Sequence, residues 1–249
     1  MWRSFLIAVR FLTRLPLPSS GAETGHDVER SVLFYPVVGL IIGMLLWAAT
    51  GLTSYVDSEL RAALILAVWV VLTGALHLDG LADTADAWVG GLGSCERTLA
   101  IMKDPCSGPA AVVALVLVLL IKFAALKELL TQNDVAVLFL APIIGRTAVL
   151  VLFLTTPYVR PSGIGAALAR NLPRRATIVV VASAVAVMAL LGGRAAIWPL
   201  SAAALLFIGL RAWMIRRIDG MTGDTAGALV ELTECAVLVA QAFMATAAR

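Results

Sequence analysis

The chain has 249 residues, of which 61% are hydrophobic and only 14% are charged. Soluble domains carry about 25% charged residues and the mean hydropathy here is +0.95, so a water-soluble protein is excluded. The formal charge of +3 is small and spread along the chain, which gives no sign of a nucleic-acid partner. Long apolar runs suit helices better than barrel strands. The composition therefore predicts an all-α, polytopic membrane bundle.

The first segment is predicted to be an amphipathic helix that lies in the membrane interface and contacts the lipid bilayer. In residues 2–15, arginines alternate with apolar side chains, and the segment is too short and too charged to span a membrane. Two prolines end this interfacial segment, residues 1–18. Residues 19–30 are predicted to form a polar loop.

Seven apolar segments follow that are long enough to cross a membrane. They are predicted at residues 32–55, 60–77, 109–130, 134–156, 176–193, 195–213 and 224–247. The boundary between the fifth and sixth is loose, because only three residues separate them. Together with the interfacial helix, they form one membrane domain, residues 1–249.

The positive charges predict how this domain is oriented. Of the 19 lysines and arginines, 13 fall on the amino-terminal side of the spans, four on the other side and two inside spans. This asymmetry predicts a cytoplasmic amino terminus in the cell's inner membrane. The acidic segment at residues 78–108 and the loop before the last span then face the cytoplasm.

The most informative stretch follows the second span, where Asp79, Asp83 and Asp86 occur within eight residues. At about 100° per residue of helix, all three fall on one face, where they repel one another unless a cation lies among them. Oxygen ligands suit Mg²⁺. The alternative is a helix cap, which needs one aspartate and not three. His77, just before them, is either a structural residue, a substrate contact or a proton acceptor.

A second acidic group begins at Asp224 and continues to Glu231 and Glu234. The alternative to a functional role is a helix start, with Asp224 as its cap and nearby glycines as packing points. Glu231 and Glu234 argue against this alternative, because they lie inside the last span. Ionisable groups in such positions predict a functional site.

Basic groups accompany the acids. Lys122 and Arg146 lie inside the third and fourth spans, where each either neutralises carboxylates or binds an anionic substrate; Lys122 has the further option of reaching the interface. Lys103 and Asp104 are either phosphate and metal contacts or an ordinary charge pair. The whole set suits phosphoryl transfer, without a P-loop or kinase signature.

Residues 77–86, HLDGLADTAD, closely resemble the signature of adenosylcobinamide-GDP ribazoletransferases, also called cobalamin synthases. The resemblance covers nearly the whole chain and includes residues 11–18, 34–39, 101–104 and 222–225. One departure follows Asp104: the family usually continues Ser-Arg-Ile-Gly, whereas residues 105–108 here are PCSG. A basic group is missing, so no phosphate contact is assigned to that turn.

The resemblance implies a reaction and a cofactor. Members join adenosylcobinamide-GDP to α-ribazole, or to its 5′-phosphate, and release GMP in the last steps of cobalamin biosynthesis, with Mg²⁺ as cofactor. The ribose 3′-hydroxyl would be the nucleophile. A homo-oligomer is compatible with the sequence, which leaves the oligomeric state open.

The resemblance also implies roles for the polar residues of the motifs. The carboxylates that would hold Mg²⁺ are Asp79, Asp83, Asp86 and Asp224. The candidates for the catalytic residues are His77, Asp86 and Asp104. The side chains that would contact the substrates are Lys103, Lys122, Arg146, Thr225, Glu231 and Glu234.

Two other functions fit part of the pattern. A cation-coupled transporter also carries intramembrane carboxylates, but it would show internal repeats and acids spread through the membrane midplane. A membrane phosphotransferase of the CDP-alcohol type would show Asp-x-x-Asp-Gly spacing, whereas Gly80 follows the first aspartate here.

Overall fold

The computed structural model describes residues 1–17 and 24–247, and within those ranges the chain forms twelve α-helices. In chain order they are α1 (Trp2–Leu12), α2 (Gly25–Ser31), α3 (Tyr35–Leu52), α4 (Ser58–Thr73), α5 (Leu76–Gly90), α6 (Cys95–Ile101), α7 (Pro109–Thr131), α8 (Val137–Thr155), α9 (Ile164–Arg170), α10 (Arg174–Gly192), α11 (Ile197–Ile218) and α12 (Gly223–Ala247). The predicted all-α membrane bundle is confirmed. The end of the predicted interfacial segment at residue 18 and the first part of the predicted loop, residues 19–23, lie outside the described residues.

The number of predicted spans agrees with the helices. Five segments are long and apolar enough to cross a membrane on their own: Gly25–Leu52, which includes α2 and α3, then α7, α8, Gly193–Ile218, which includes α11, and α12. Two further pairs, α4 with α5 and α9 with α10, pass the same test together but bend by 88° and 101°, which gives up to seven spans. The loose boundary between the fifth and sixth predicted spans is a short 3-10 turn, Gly193–Ala196.

The second predicted span, residues 60–77, was too long. Helix α4 ends at Thr73, and the next two residues, Gly74 and Ala75, both have positive φ angles of 60° and 56°. Residues in the left-handed conformation end a helix. The chain therefore bends sharply at these two residues, and α5 begins at Leu76. His77 and the three aspartates therefore lie on a separate helix.

Two predicted loops also contain helices. The part of residues 19–30 that the structure describes holds the start of α2, where Thr24 caps the helix by accepting a hydrogen bond from the Asp27 backbone N–H at 3.2 Å. The segment at residues 78–108 holds most of α5, which continues to Gly90, and α6.

The core lies around α8 and α12, which pack on each other and on most of the other long helices. Helix α3 contacts α8 closely through Gly39 and Gly43, where an added Cβ would lie 2.5–2.8 Å from backbone atoms of α8. Small residues let membrane helices approach in this way. By contrast, α7 keeps valines and leucines such as Val112, Val116 and Leu120 exposed, a face that suits lipid.

One end of the bundle collects polar segments and is called the site end below. It contains the α4–α5 bend, the start of α7, the end of α8 and the start of α12. Four arginines donate hydrogen bonds to backbone carbonyl groups of neighbouring segments there. The Arg14 backbone N–H donates to Leu72, and the guanidinium groups of the other three donate as follows: Arg174 to Leu154, Arg211 to Thr155 and Arg217 to Trp88.

Replacing Gly39 or Gly43 by alanine is expected to lower the free energy of unfolding by about 1–3 kcal/mol, because each added methyl forces α3 away from α8. Gly51→Ala is the matched control, since this glycine lies on the same helix with no atom within 4 Å of an added Cβ. Thermal unfolding of the detergent-purified protein measures the difference. Equal midpoints for all three variants would contradict the packing described.

Candidate active site

Helices α5 and α12 cross at the site end with their backbones almost in contact. A Cβ added to Gly80 would lie 2.7 Å from the carbonyl oxygen of Asp224, and one added to Gly227 would lie 3.4 Å from Cα atoms of Gly80 and His77. Gly80 is therefore required for this approach, whereas a Cβ at Gly227 would be in ordinary van der Waals contact. As a result, the acidic residues of α5 lie beside Asp224, which comes from the far end of the chain.

Asp224 is held at the start of α12 by a reciprocal cap. The Thr222 hydroxyl oxygen accepts a hydrogen bond from the Thr225 backbone N–H at 3.2 Å, and the Thr225 hydroxyl oxygen accepts one from the Thr222 N–H at 2.9 Å. This is a capping-box arrangement. The cap is thus Thr222 and not Asp224, which leaves the Asp224 carboxylate for other contacts.

A short parallel bridge fixes the segment before α12 against the segment after α8. The Met221 N–H donates to the Pro157 carbonyl at 2.8 Å, and the Val159 N–H donates to the Met221 carbonyl at 3.0 Å. The next residue, Arg160, pairs with Asp224 at 2.6 Å. Burial raises the pKa of the neighbouring Tyr158 hydroxyl above its usual value, so this group remains protonated at neutral pH.

The three aspartates of α5 share one side of the helix, but they have different surroundings. Asp79 is exposed and Asp83 is partly buried. Asp83 interacts electrostatically with Asp79, Asp86 and Asp224, and with Arg160 as the opposing charge. Like charges gathered in this way favour a bound cation.

Asp86 differs from the other two because backbone groups of α7 bind it. Its carboxylate oxygens accept hydrogen bonds from the N–H of Gly108 at 2.5 Å and of Ala111 at 2.9 Å. Gly108 precedes α7 and has no side chain with which to cap it. Asp86 supplies the missing acceptor from another helix and also meets the positive end of the helix dipole.

A pocket of about 180 Å³, the central pocket, opens beside the α5–α12 crossing. Its mouth is formed by Asp79 and Asp224, and its floor by the buried side chains of His77 and Arg146. Helices α1, α3, α8 and α9 supply mainly apolar walls. Apolar pockets with a few convergent polar groups are the usual form of a small-molecule site.

Behind the floor lies a buried network of four ionisable residues. The Lys122 ammonium contacts Glu231 at 2.8 Å and Glu234 at 2.7 Å, and Glu234 also pairs with Arg146. The side chains are at most 4% exposed, and the ammonium lies 4.5 Å from the centre of the Trp69 ring. Two cations and two carboxylates balance, so the network can remain ionised inside the bundle.

The amino-acid sequence is similar to that of known proteins. The family model described as cobalamin-5-phosphate synthase matches residues 4–242. The chain belongs to that family. Relatives named adenosylcobinamide-GDP ribazoletransferase include one from Pseudomonas entomophila, 55% identical over 96% of this chain and 98% of its own length. Another, from Stutzerimonas stutzeri, is 56% identical over 94% of this chain and 95% of its own.

The chain is accordingly an enzyme of cobalamin biosynthesis, as the motifs at residues 77–86 and 222–225 predicted. A third relative, from Pseudomonas aeruginosa strain UCBPP-PA14, is 55% identical over 96% of this chain and 98% of its own length and carries the same name. No solved structure matches the chain.

The predicted metal ligands lie near one another. The carboxylate of Asp86, however, is already occupied by hydrogen bonds from the start of α7. Among the described residues, no group of three or more His, Cys, Asp or Glu side chains is close enough to hold a metal ion as the side chains now lie. The donors are all hard oxygens, which suit Mg²⁺, and the Gly80 contact brings Asp224 to the α5 acids. The Mg²⁺ site stays a prediction.

The predicted substrate contacts separate into two groups. Arg146 lines the central pocket. Lys122, Glu231 and Glu234 are bound to each other behind it, and Thr225 is buried in the α12 cap. For Lys122, the structure shows neutralisation of carboxylates and not an extension to the interface.

Lys103 and Asp104 are exposed on the turn after α6. The Asp104 carboxylate accepts a hydrogen bond from the Cys106 N–H at 2.9 Å, which closes the turn. It borders a separate surface depression that also contains Asp86. Neither Lys103 nor Asp104 lines the central pocket, so their catalytic and substrate roles stay predictions.

Arg160 is the site residue that sequence reasoning missed. It was counted only as one of many loop cations, because nothing local distinguishes it. Its guanidinium contacts both Asp224 at 2.6 Å and the Met102 carbonyl at 3.3 Å. Its position in the sequence could have indicated this role. Arg160 lies three residues after Pro157, which ends the fourth span on the same side of the membrane as the acids.

Replacing Lys122 by methionine is expected to destabilise the protein by about 3–5 kcal/mol, because two buried carboxylates then lose their shared cation. Lys127→Met on the same helix is the matched control. Its ammonium pairs with Glu59 at 2.5 Å in an exposed position, where an ion pair contributes little. The midpoint of thermal unfolding in detergent should fall for Lys122→Met only. A similar fall for both variants would contradict the buried network.

Asp86→Ala is expected to destabilise the start of α7 by about 0.5–2 kcal/mol, as loss of a helix cap does. Asp79→Ala is the control, because Asp79 lies on the same helix with an exposed side chain. Hydrogen exchange of the Gly108 and Ala111 amides reports the local effect. Unchanged protection of these amides in Asp86→Ala would disprove the capping role.

Proposed function

We propose that this enzyme joins adenosylcobinamide-GDP to α-ribazole or α-ribazole 5′-phosphate and releases GMP. The relatives' printed name supports this assignment. The observation that carries it is the α5–α12 crossing, which brings Asp79 and Asp224 to the mouth of a largely apolar pocket. Such a site combines groups suited to a diphosphate with space for an apolar part of a substrate.

The chemistry is a phosphoryl transfer. The ribose 3′-hydroxyl of the acceptor attacks the phosphorus next to cobinamide, a new P–O bond forms, and the P–O–P bond to GMP breaks. The hydroxyl proton passes to a base. Of the candidate catalytic residues, His77 lines the central pocket, whereas Asp86 is bound to α7 and Asp104 lies on an exposed turn. Because His77 lies at the floor of the pocket, a carboxylate at its mouth, Asp79, is the proposed acceptor.

Mg²⁺ is the proposed cofactor, and Asp79, Asp83 and Asp224 are the residues that would hold it. The ion would neutralise phosphate charge in the transition state. Asp224 is paired with Arg160 at 2.6 Å, so binding of a cation by Asp224 would leave this guanidinium to contact a phosphate oxygen. Three carboxylates lie near this single arginine, so their negative charge is not fully neutralised. This excess favours binding of a cation.

The proposed location is the cell's inner membrane, with the amino terminus and the site end in the cytoplasm. The excess of lysine and arginine on the amino-terminal side of the spans supports this orientation. The contacts of Arg14, Arg174, Arg211 and Arg217 at one end of the bundle agree with it. Cytoplasmic nucleotides and Mg²⁺ would then reach the site directly.

The test is to incubate detergent-purified protein with adenosylcobinamide-GDP, α-ribazole and Mg²⁺, and to measure cobalamin and GMP by chromatography. Equal amounts of the two products are expected, and chelation of Mg²⁺ should abolish both. Asp79→Asn and Asp83→Asn should lose almost all turnover with an unchanged unfolding midpoint. Glu59→Gln, an exposed carboxylate at the opposite end, is the control.

Each result has a distinct reading. If the wild-type protein forms no cobalamin, the proposed reaction is wrong. If it forms cobalamin equally well without Mg²⁺, the cofactor assignment is wrong. Full activity of both aspartate variants would instead remove Asp79 and Asp83 from the site.

A further inference from the structure

The floor of the central pocket carries buried hydrogen-bonding groups without partners. Arg146 is 0% exposed, and only one of its terminal nitrogens pairs with Glu234; its Nε and Nη2 have no partner among the described residues. The Nδ1 atom of the buried His77 is likewise unpartnered. The Arg146 nitrogens only donate, and a buried donor without an acceptor is costly, so Arg146 points to a ligand atom that accepts hydrogen bonds.

The charge around the floor indicates whether the ligand atom that accepts these hydrogen bonds is charged or uncharged. Arg146 and Lys122 are already balanced by Glu231 and Glu234 in one buried network. A phosphate at the floor would add uncompensated negative charge in a region of low dielectric, which is strongly unfavourable. An uncharged acceptor, such as a ring nitrogen or a carbonyl oxygen, satisfies the free N–H groups without that cost.

The size and walls of the pocket narrow the choice to an aromatic ring. Its volume of about 180 Å³ is below the roughly 300–1,000 Å³ of sites that hold whole drug-sized ligands. Phe11, Tyr35 and Phe153 are among its lining residues. Aromatic side chains pack favourably on a flat ring, so one bicyclic heterocycle fits, whereas a corrinoid macrocycle does not.

We propose that the central pocket binds the heterocyclic base of the acceptor nucleoside, and that Arg146 donates a hydrogen bond to its unprotonated ring nitrogen. This inference rests on the proposed function. The dimethylbenzimidazole of α-ribazole is an apolar bicycle with one acceptor nitrogen and no N–H. Guanine, the base of the other substrate, would bury several N–H donors beside a floor that offers mainly donors itself.

The proposal also orients the acceptor. With its base against Phe11 and Phe153, the ribose lies at the mouth, next to Asp79 and Asp224. This is where the carboxylates would hold the diphosphate. The pocket therefore acts as a positioning site that directs the 3′-hydroxyl, and it selects acceptors by the size and polarity of their base.

Filling the pocket tests this assignment. Val149 lines it from α8, and Val149→Phe should raise the KM for α-ribazole by at least about tenfold while the KM for adenosylcobinamide-GDP is unchanged. Val179→Phe is the matched control, because Val179 is 63% exposed on α10. It should change neither constant. Both variants are compared with wild type by their thermal unfolding midpoints.

A second test enlarges the pocket with Val149→Ala. It remains available if Val149→Phe does not fold. Wild type should use a riboside with one more fused ring, a naphthimidazole, at least about tenfold less efficiently than α-ribazole. Val149→Ala should reduce this discrimination. The proposal is overturned if the KM for adenosylcobinamide-GDP rises in Val149→Phe, if neither KM changes, or if Val149→Ala leaves the discrimination as it was. Absence of wild-type turnover would instead refute the proposed function.

Discussion

The pairing of Lys122 and Arg146 with Glu231 and Glu234 is the interaction on which the rest of the bundle depends. It joins α7, α8 and α12 by charge inside a region that would reject any one of these groups alone. Neutralising one member would leave its partners uncompensated, so the network favours the register in which all four groups are paired. That register fixes the rotation of α12, and hence which of its residues face α5.

The site end is built outward from this fixed helix. Gly227 of α12 packs against His77 and Gly80 of α5, and the bend of 88° between α4 and α5 turns α5 away from the direction of α4. Helix ends supply the remaining order, because Thr222 caps α12 and Asp86 caps α7. Several polar residues of the conspicuous motifs are therefore occupied in holding helices. Those that remain directed at the central pocket are His77, Asp79, Arg146 and Asp224.

The sequence predicts the spans well, since apolar runs of the right length have few alternatives in a membrane. It does not predict the α4–α5 bend, because Gly74 and Ala75 lie inside an apolar run, and their left-handed conformation depends on packing. The aspartates of α5 were predicted to share a face, and they do, but periodicity cannot show that Asp86 binds N–H groups 22 and 25 residues away. Arg160 was missed for the same reason: its contact with Asp224 is made by tertiary structure.

Charge is distributed along the depth of the central pocket, and this gradient relates the fold to the chemistry. At the mouth, the carboxylates of Asp79 and Asp224, with Asp83 close to them, are opposed by one arginine, Arg160, so negative charge is in excess there. At the floor, the charges balance and the side chains are buried. A substrate pair with ionic phosphates and an uncharged ring is bound most favourably with the phosphates, neutralised by a cation, at the mouth and the ring at the floor. The opposite arrangement would bury unpaired charge, so the gradient by itself determines the direction in which the acceptor enters.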